Sequence, residues 1–504
     1  MKNINMYDFI EIEFEDTENA CVIEECGCFT CEDGTVVLVD AFKKGKSLFA
    51  VRFMPQKMGK WEYKINGTTQ RLKGFFSVGE PKHDWHGVVR ANGDVFCFED
   101  GTKFLPFGTT CYAWINQSSK LQDETVKTLK ASCFNKVRMM IFPKSMPYNN
   151  EEPILFPFFK DETNSWQIDE IVPEFWDNLD KRMNQLREMN IQADLILFHP
   201  YDKWGFASLS QEEAMKYLAY CNARYGAFEN IWWSLANEYE MLKRDISDWD
   251  QYGEYLFLND PYHHLRSVHE ILIIYPDRKW LTHLSLQHSA FDLIPQWKRK
   301  YGGKPVMIDE CGYEGNIEYD WGNLTAFEMV NRVWWSVCRG GYCTHGETFH
   351  QNDEILWWSK GGVLHGESEP RIRFLKDILE SLQGVGHTET TVFGKDPNHL
   401  DGNSDVNSYF VSLISKTPIE NLFGIFGMDP KMLIGDNWCL RYYGRTCPCL
   451  STLSLPKGND YRAEIIDVWN MTRKSIDGIY KDGDVINLPG KEGMAVLFTS
   501  RKEF

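Results

Sequence analysis

The chain has 504 residues, longer than one hydrophobic core usually spans, so two or three domains are expected. Its hydrophobic (43%) and charged (25%) fractions suit a globular protein. A net charge of −18 with no basic stripe excludes nucleic acid as a partner, and no apolar run reaches the roughly 18 residues of a membrane-spanning helix.

"MKNINMYDFIEIEFEDTENA" opens the chain without an apolar leader region, which predicts a cytoplasmic protein whose 14 cysteines stay reduced. Residues 1–82 read as short β-branched and aromatic strands at regular spacing, an Ig-like β-sandwich. The Pro/Gly-bearing linker "VGEPKHDWHG" follows.

Over residues 83–388 the texture becomes apolar runs alternating with helical stretches. The runs are "KFLPFGTTCY", "NKVRMMIF", "IQADLILF", "NIWWSLAN", "KWLTHLSL", "AFDLIP", "KPVMIDE" and "GGYCTHGETF". Eight such runs predict an α/β fold of the (β/α)8 TIM-barrel type, and a doubly wound sheet loses ground because no Gly-rich phosphate loop follows the first strand. Residues 389–504 return to strands, "SYFVSLI", "NLFGIFG", "YRAEIIDVWN" and "MAVLFTS", and read as a small C-terminal β-sandwich domain.

In such a barrel the chemistry sits where strands end. The sequence places Arg138 on strand two, His199 and Asp202 after strand three, and Asn237 and Glu238 after strand four. His283 falls on strand five, Glu310 on strand seven, and His345 and Glu347 on strand eight. Each alone is more often structural. Two carboxylates ending strands four and seven, however, face each other across a barrel mouth, as glycosidic-bond cleavage requires: one protonated to donate to the leaving oxygen, one ionised to attack or to activate water. Glu240 reads as solvated or structural, and alternation puts Asp309 and Glu310 on opposite sides of strand seven.

"SLANEYE" and "KPVMIDE" resemble the Asn-Glu and late-strand Glu motifs of retaining clan A glycoside hydrolases. The resemblance implies Glu238 as general acid/base, Glu310 as nucleophile and hence, rather than Asp309, in the inward position, Asn237 on the sugar 2-hydroxyl and Arg138 beneath the nucleophile, with β-glycosides as the common substrates. "VRFMPQKMGKWEYKI", "DECGYEGNI", "GGYCTHGETF" and "LWWSKGGVLHGES" are similar to a bacterial family of sandwich, glycoside-hydrolase barrel and small β-domain. Clan members often carry a Trp platform on strand eight; here the strand reads "CTHGETF", and Trp358 in the following loop is the substitute. "CGCFTC" matches no common metal pattern; "HGETFH" has metal-like spacing, but mixed His/Glu clusters at barrel mouths hydrogen-bond sugars equally well, so no metal and no cofactor are assigned.

The expected partner is a small glycoside or oligosaccharide, and homo-oligomerisation is left open. Long Trp-bearing loops after strands seven and eight favour exo action in a blind pocket lined by His199, His283, His345 and Glu347. An endo-acting polysaccharide hydrolase, an inverting mechanism and a non-catalytic carbohydrate-binding barrel are the alternatives.

Overall fold

The computed structural model describes residues 2–353, 355–388 and 431–500. Strands from Lys2–Asn5 to Arg71–Gly79 make one seven-stranded sheet. Phe14, Phe29, Phe49, Phe53, Trp61 and Phe76 form a core that this sheet encloses by itself. The sandwich expected from spacing is thus one unbroken hydrogen-bonded sheet, and a register shift between Ile23 and Gly27 is one place where it bends. The sheet docks along the outside of helices Pro173–Glu188 and Gln211–Tyr225. Arg52 reaches Asp180 and donates to the Arg224 carbonyl (2.8 Å), and Phe42 meets Tyr220 edge-on.

A three-stranded sheet, Val89–Asn92, Val95–Phe98 and Lys103–Phe104, plugs the N-terminal end of the barrel. Its Phe96 packs on Trp232 and Tyr342, early residues of strands four and eight.

The barrel strands are all parallel: Gly108–Thr110, Lys136–Met140, Gln192–Phe198, Ile231–Ala236, Arg266–Ser267, Leu284–Gln287, Val306–Glu310 and Tyr342–His345. Hydrogen bonding runs unbroken from strand five back to strand one, then through strands eight, seven and six. A single parallel bridge, His269 to Ser285, closes the ring. Strand five is therefore in "LRSVHE"; "KWLTHLSL" supplies strand six, and "AFDLIP" begins a helical segment that runs to Lys300. Two polar residues make no apolar run, which is why the sequence pattern passed over strand five.

Inside the barrel, Lys136 lies 2.6 Å from Asp194 and 2.8 Å from Asp309, all fully buried. Arg138 stands 3.7 and 3.6 Å from the same two carboxylates. Two cations thus offset two anions, the condition under which buried charge is tolerated.

After the barrel, a five-stranded antiparallel sheet that includes Trp438–Tyr442 and Met494–Ser500 packs on helix Ala326–Cys338, where the Tyr442 hydroxyl donates to Asn331 Oδ1 (3.0 Å). The predicted strands "SYFVSLI" and "NLFGIFG" lie outside the described residues. Among the described residues no helix is long and apolar enough to cross a membrane.

Candidate active site

Strand four delivers Asn237 and Glu238 to the barrel rim, and Glu238 bends away in the left-handed region (φ 48°, ψ 59°). Glutamate rarely adopts that conformation, and such backbone strain concentrates at functional sites. Its carboxylate accepts the Tyr201 hydroxyl from the loop after strand three. Burial, then the charge of Glu310, pushes the Glu238 carboxyl up to about 7.

Opposite, Glu310 accepts the hydroxyl of Tyr112, which follows strand one. Burial raises this carboxyl as well, while the Arg138 guanidinium and the Tyr112 hydrogen bond pull it back down. One proton shared between the two groups resolves their repulsion, and Glu238, farther from the guanidinium's influence, is the better place for it.

Arg138 Nη2 donates to Asn237 Oδ1 at 2.5 Å, and the Tyr112 hydroxyl reaches the same oxygen at 3.3 Å. With Oδ1 held from below, Asn237 Nδ2 is buried without a partner among the described residues. An amide in that state presents a donor to a ligand hydroxyl.

The wall opposite is aromatic. Tyr112, Tyr313 and Trp358 cluster with Tyr201 and Trp321 around the rim. Trp321, from the loop after strand seven, meets Trp358, from the loop after strand eight, at 5.0 Å between ring centroids. Lys144 Nζ lies 3.4 Å from the Trp358 ring centroid, with the Tyr112 and Tyr201 rings at 4.9 and 5.5 Å. His199 stacks on Tyr201 and holds the Phe142 carbonyl through Nε2 at 3.2 Å; burial lowers it to about 4, so its ring is neutral at ordinary pH.

Three expected residues stand elsewhere. His283 precedes strand six at the N-terminal end, wedged edge-on against Phe96 and Trp232, and burial lowers it to about 3. It belongs to the barrel floor, because the run containing it begins one residue too early to carry it to the mouth. His345 and Glu347 form a separate buried cluster with Glu314, their ligand atoms within 4.8 Å of one another. Glu347 accepts the His365 and Gly366 N–H groups (2.7 and 3.0 Å), and Glu314 those of Glu367 and Ser368 (2.8 and 3.2 Å), at the start of helix Ser368–Ser381.

This trio has donor types that bind cations. Its hydrogen bonds fit a structural role better. The Thr109 hydroxyl accepts from Trp357 (2.8 Å) and can give its own hydrogen to His345 Nδ1 (3.0 Å). His345 Nε2 faces Glu347 Oε1 at 3.6 Å.

Asp309 also corrects the reading of strand seven. It, and not Glu310, fills the barrel interior, against Lys136, Ser285 and Thr344. Glu310 reaches the site from the rim because the pairing of strands six and seven shifts register just before it.

Sequence reasoning missed Tyr112, Lys144, Tyr201 and His269; the last lies 4.0 Å from Glu310. "TCY", "FPK", "HPY" and "VHE" each follow a barrel strand, and that position was the available signal.

A parallel eight-stranded barrel with a buried carboxylate pair at the C-terminal rim is the frame of a glycosidase. Residues 90–384 match the model of the apiosidase-like catalytic domain, and the chain belongs to that family. Residues 3–68 and 428–499 match two domains of unknown function. An inferred glycoside hydrolase from Bacteroides vulgatus is 31% identical over 99% of this chain and 100% of its own, with a TM-score of 0.84. A family 5 glycoside hydrolase from the same organism shares the fold at 14% identity, covering 82% of this chain and 94% of its own (TM-score 0.61). No curated protein matches the chain.

Proposed function

We propose that the protein is a retaining glycosidase that removes the terminal sugar of small glycosides. Glu310 attacks the anomeric carbon as the bond to the leaving oxygen breaks, and Glu238 gives its proton to that oxygen. Water then attacks the glycosyl ester, returning its proton to Glu238 and releasing Glu310. The observation that carries this reading is the asymmetry of the pair: burial and the charge of Glu310 push Glu238 up to about 7, while the Arg138 charge and the hydrogen bond from Tyr112 favour the ionised form of Glu310. Asn237 Nδ2 is placed to take the sugar 2-hydroxyl, a contact that strengthens as charge develops at the ring.

The meeting of Trp321 and Trp358 supports exo action, because two loops joined over one side of the mouth stop a sugar chain there. A nitrophenyl glycoside panel tests the function: xyloside, apioside, arabinoside, glucoside and fucoside, each with the intact protein and with Glu310→Ala. Release of nitrophenol from at least one glycoside by the intact protein alone is expected. Equal rates with the variant would overturn the reading.

A further inference from the structure

Lys144 lies beyond strand two on a segment pinned by two bonds: Asn149 Nδ2 to the Lys144 carbonyl (2.7 Å), and Ser145 N–H to the Tyr201 carbonyl (2.8 Å). Its side chain is buried (1% exposed), and Nζ has no hydrogen-bond acceptor among the described residues. Three aromatic faces surround it, Trp358, Tyr112 and Tyr201. Cation–π contact offsets only part of the cost of burying an ammonium. A lysine that merely supported the fold would be paired; this one is kept, at a cost, facing the catalytic rim.

We propose that Lys144 is a substrate-binding residue whose ammonium donates to a hydroxyl of a neutral sugar in the site. This rests on the glycosidase reading above and adds the class of sugar to it. Charge decides between a neutral and an acidic sugar. Below the site, Lys136 and Arg138 stand against Asp194 and Asp309. Above them, Lys144 faces the Glu238–Glu310 pair; burial pulls its amine down to about 7, while the charges of Glu310 and Glu238 oppose that fall. The charged and titratable groups around Lys144 come from each packed element: Arg138 from strand two, His199 and Tyr201 after strand three, Glu238 after strand four, Glu310 on strand seven, and Tyr112 after strand one. A sugar carboxylate would bring a further negative charge into a buried site that already holds the Glu238–Glu310 pair. A hydroxyl satisfies the ammonium without that penalty.

The proposal makes two linked demands. Lys144→Met fills the same space without charge, so the variant should unfold at an equal or higher denaturant concentration than the parent. At the same time its KM for the accepted neutral glycoside should rise about 10–100-fold, the loss of one charged hydrogen bond. Lys144→Arg, which retains the charge, should recover part of the loss. Uronides should be cleaved far more slowly than their neutral counterparts. A destabilised Lys144→Met, or an unchanged KM, or faster cleavage of the uronide each overturns the proposal. If no glycoside is cleaved, the glycosidase reading fails separately. Calorimetry with free neutral pentoses and hexoses then decides for Lys144: binding by the parent that Lys144→Met loses sustains the proposal, and no binding by the parent overturns it.

Discussion

Arg138 Nη2 holds Asn237 Oδ1 at 2.5 Å, so the amide of Asn237 is fixed with its NH2 group turned to the site. Asn237→Asp keeps the acceptor for Arg138 and removes the donor. The expected result is a fall in kcat/KM of about 10–100-fold, the value of a hydrogen bond made in the transition state, with little loss of stability. Steady-state kinetics beside a denaturation curve checks it. A large stability loss with kinetics preserved would make the amide structural.

The Glu238 carboxyl is raised to about 7 by burial and then by Glu310, which gives two pH dependences. Activity requires its proton and should decline as pH rises through about 7. For stability the sign follows from linkage. Below the unfolded-state value of about 4.3 both states are protonated; between that and about 7 only the unfolded chain releases its proton, so stability is lost across this window as pH rises. Glu238→Gln should therefore match the parent near pH 4 and exceed it at pH 8, by on the order of 1–3 kcal/mol. Denaturant midpoints at the two pH values decide.

Arg52 of the N-terminal sheet is buried against Asp180, whose carboxyl is also held by Arg224 and kept well below the usual carboxylate range despite burial. Removing one partner leaves the rest uncompensated, so Arg52→Met should cost about 3–5 kcal/mol. Its contacts are on the outer helices, so KM and kcat of the folded variant should match the parent. A changed KM would place the N-terminal sheet in substrate binding.

The barrel was legible because most of its strands are long apolar runs: Ile231–Ala236 and Gln192–Phe198 are buried at every position. Arg266–Ser267 carries no such signal; its neighbours in the ring, and not its composition, make it a strand. That gap displaced the numbering of strands five and six and, with it, His283. Glu238, Glu310, Asn237, Arg138, His199 and Trp358 come together in the structure, since each lies on, ends or follows a strand that the pattern located. His345 and Glu347 were misplaced by the same logic applied too generously. On strand eight, Tyr342 and Thr344 face the interior, towards Phe96 and Asp309, and alternation turns His345 outward. Lys144 and Tyr112 follow barrel strands, but Tyr and Lys in such loops carry no motif of their own, and position alone does not say which of them folds back over the rim.

The central claim is that Glu310 attacks the sugar and Glu238 does not. The most direct measurement is to incubate the protein with the activated 2-deoxy-2-fluoro form of its accepted glycoside, digest it, and locate the added mass by peptide sequencing. Fluorine slows both steps, and the activated leaving group lets the ester form and accumulate. One sugar on the peptide containing Glu310, absent from Glu310→Gln, is the predicted result. A label on Glu238, or turnover with inversion and no label at all, would contradict it.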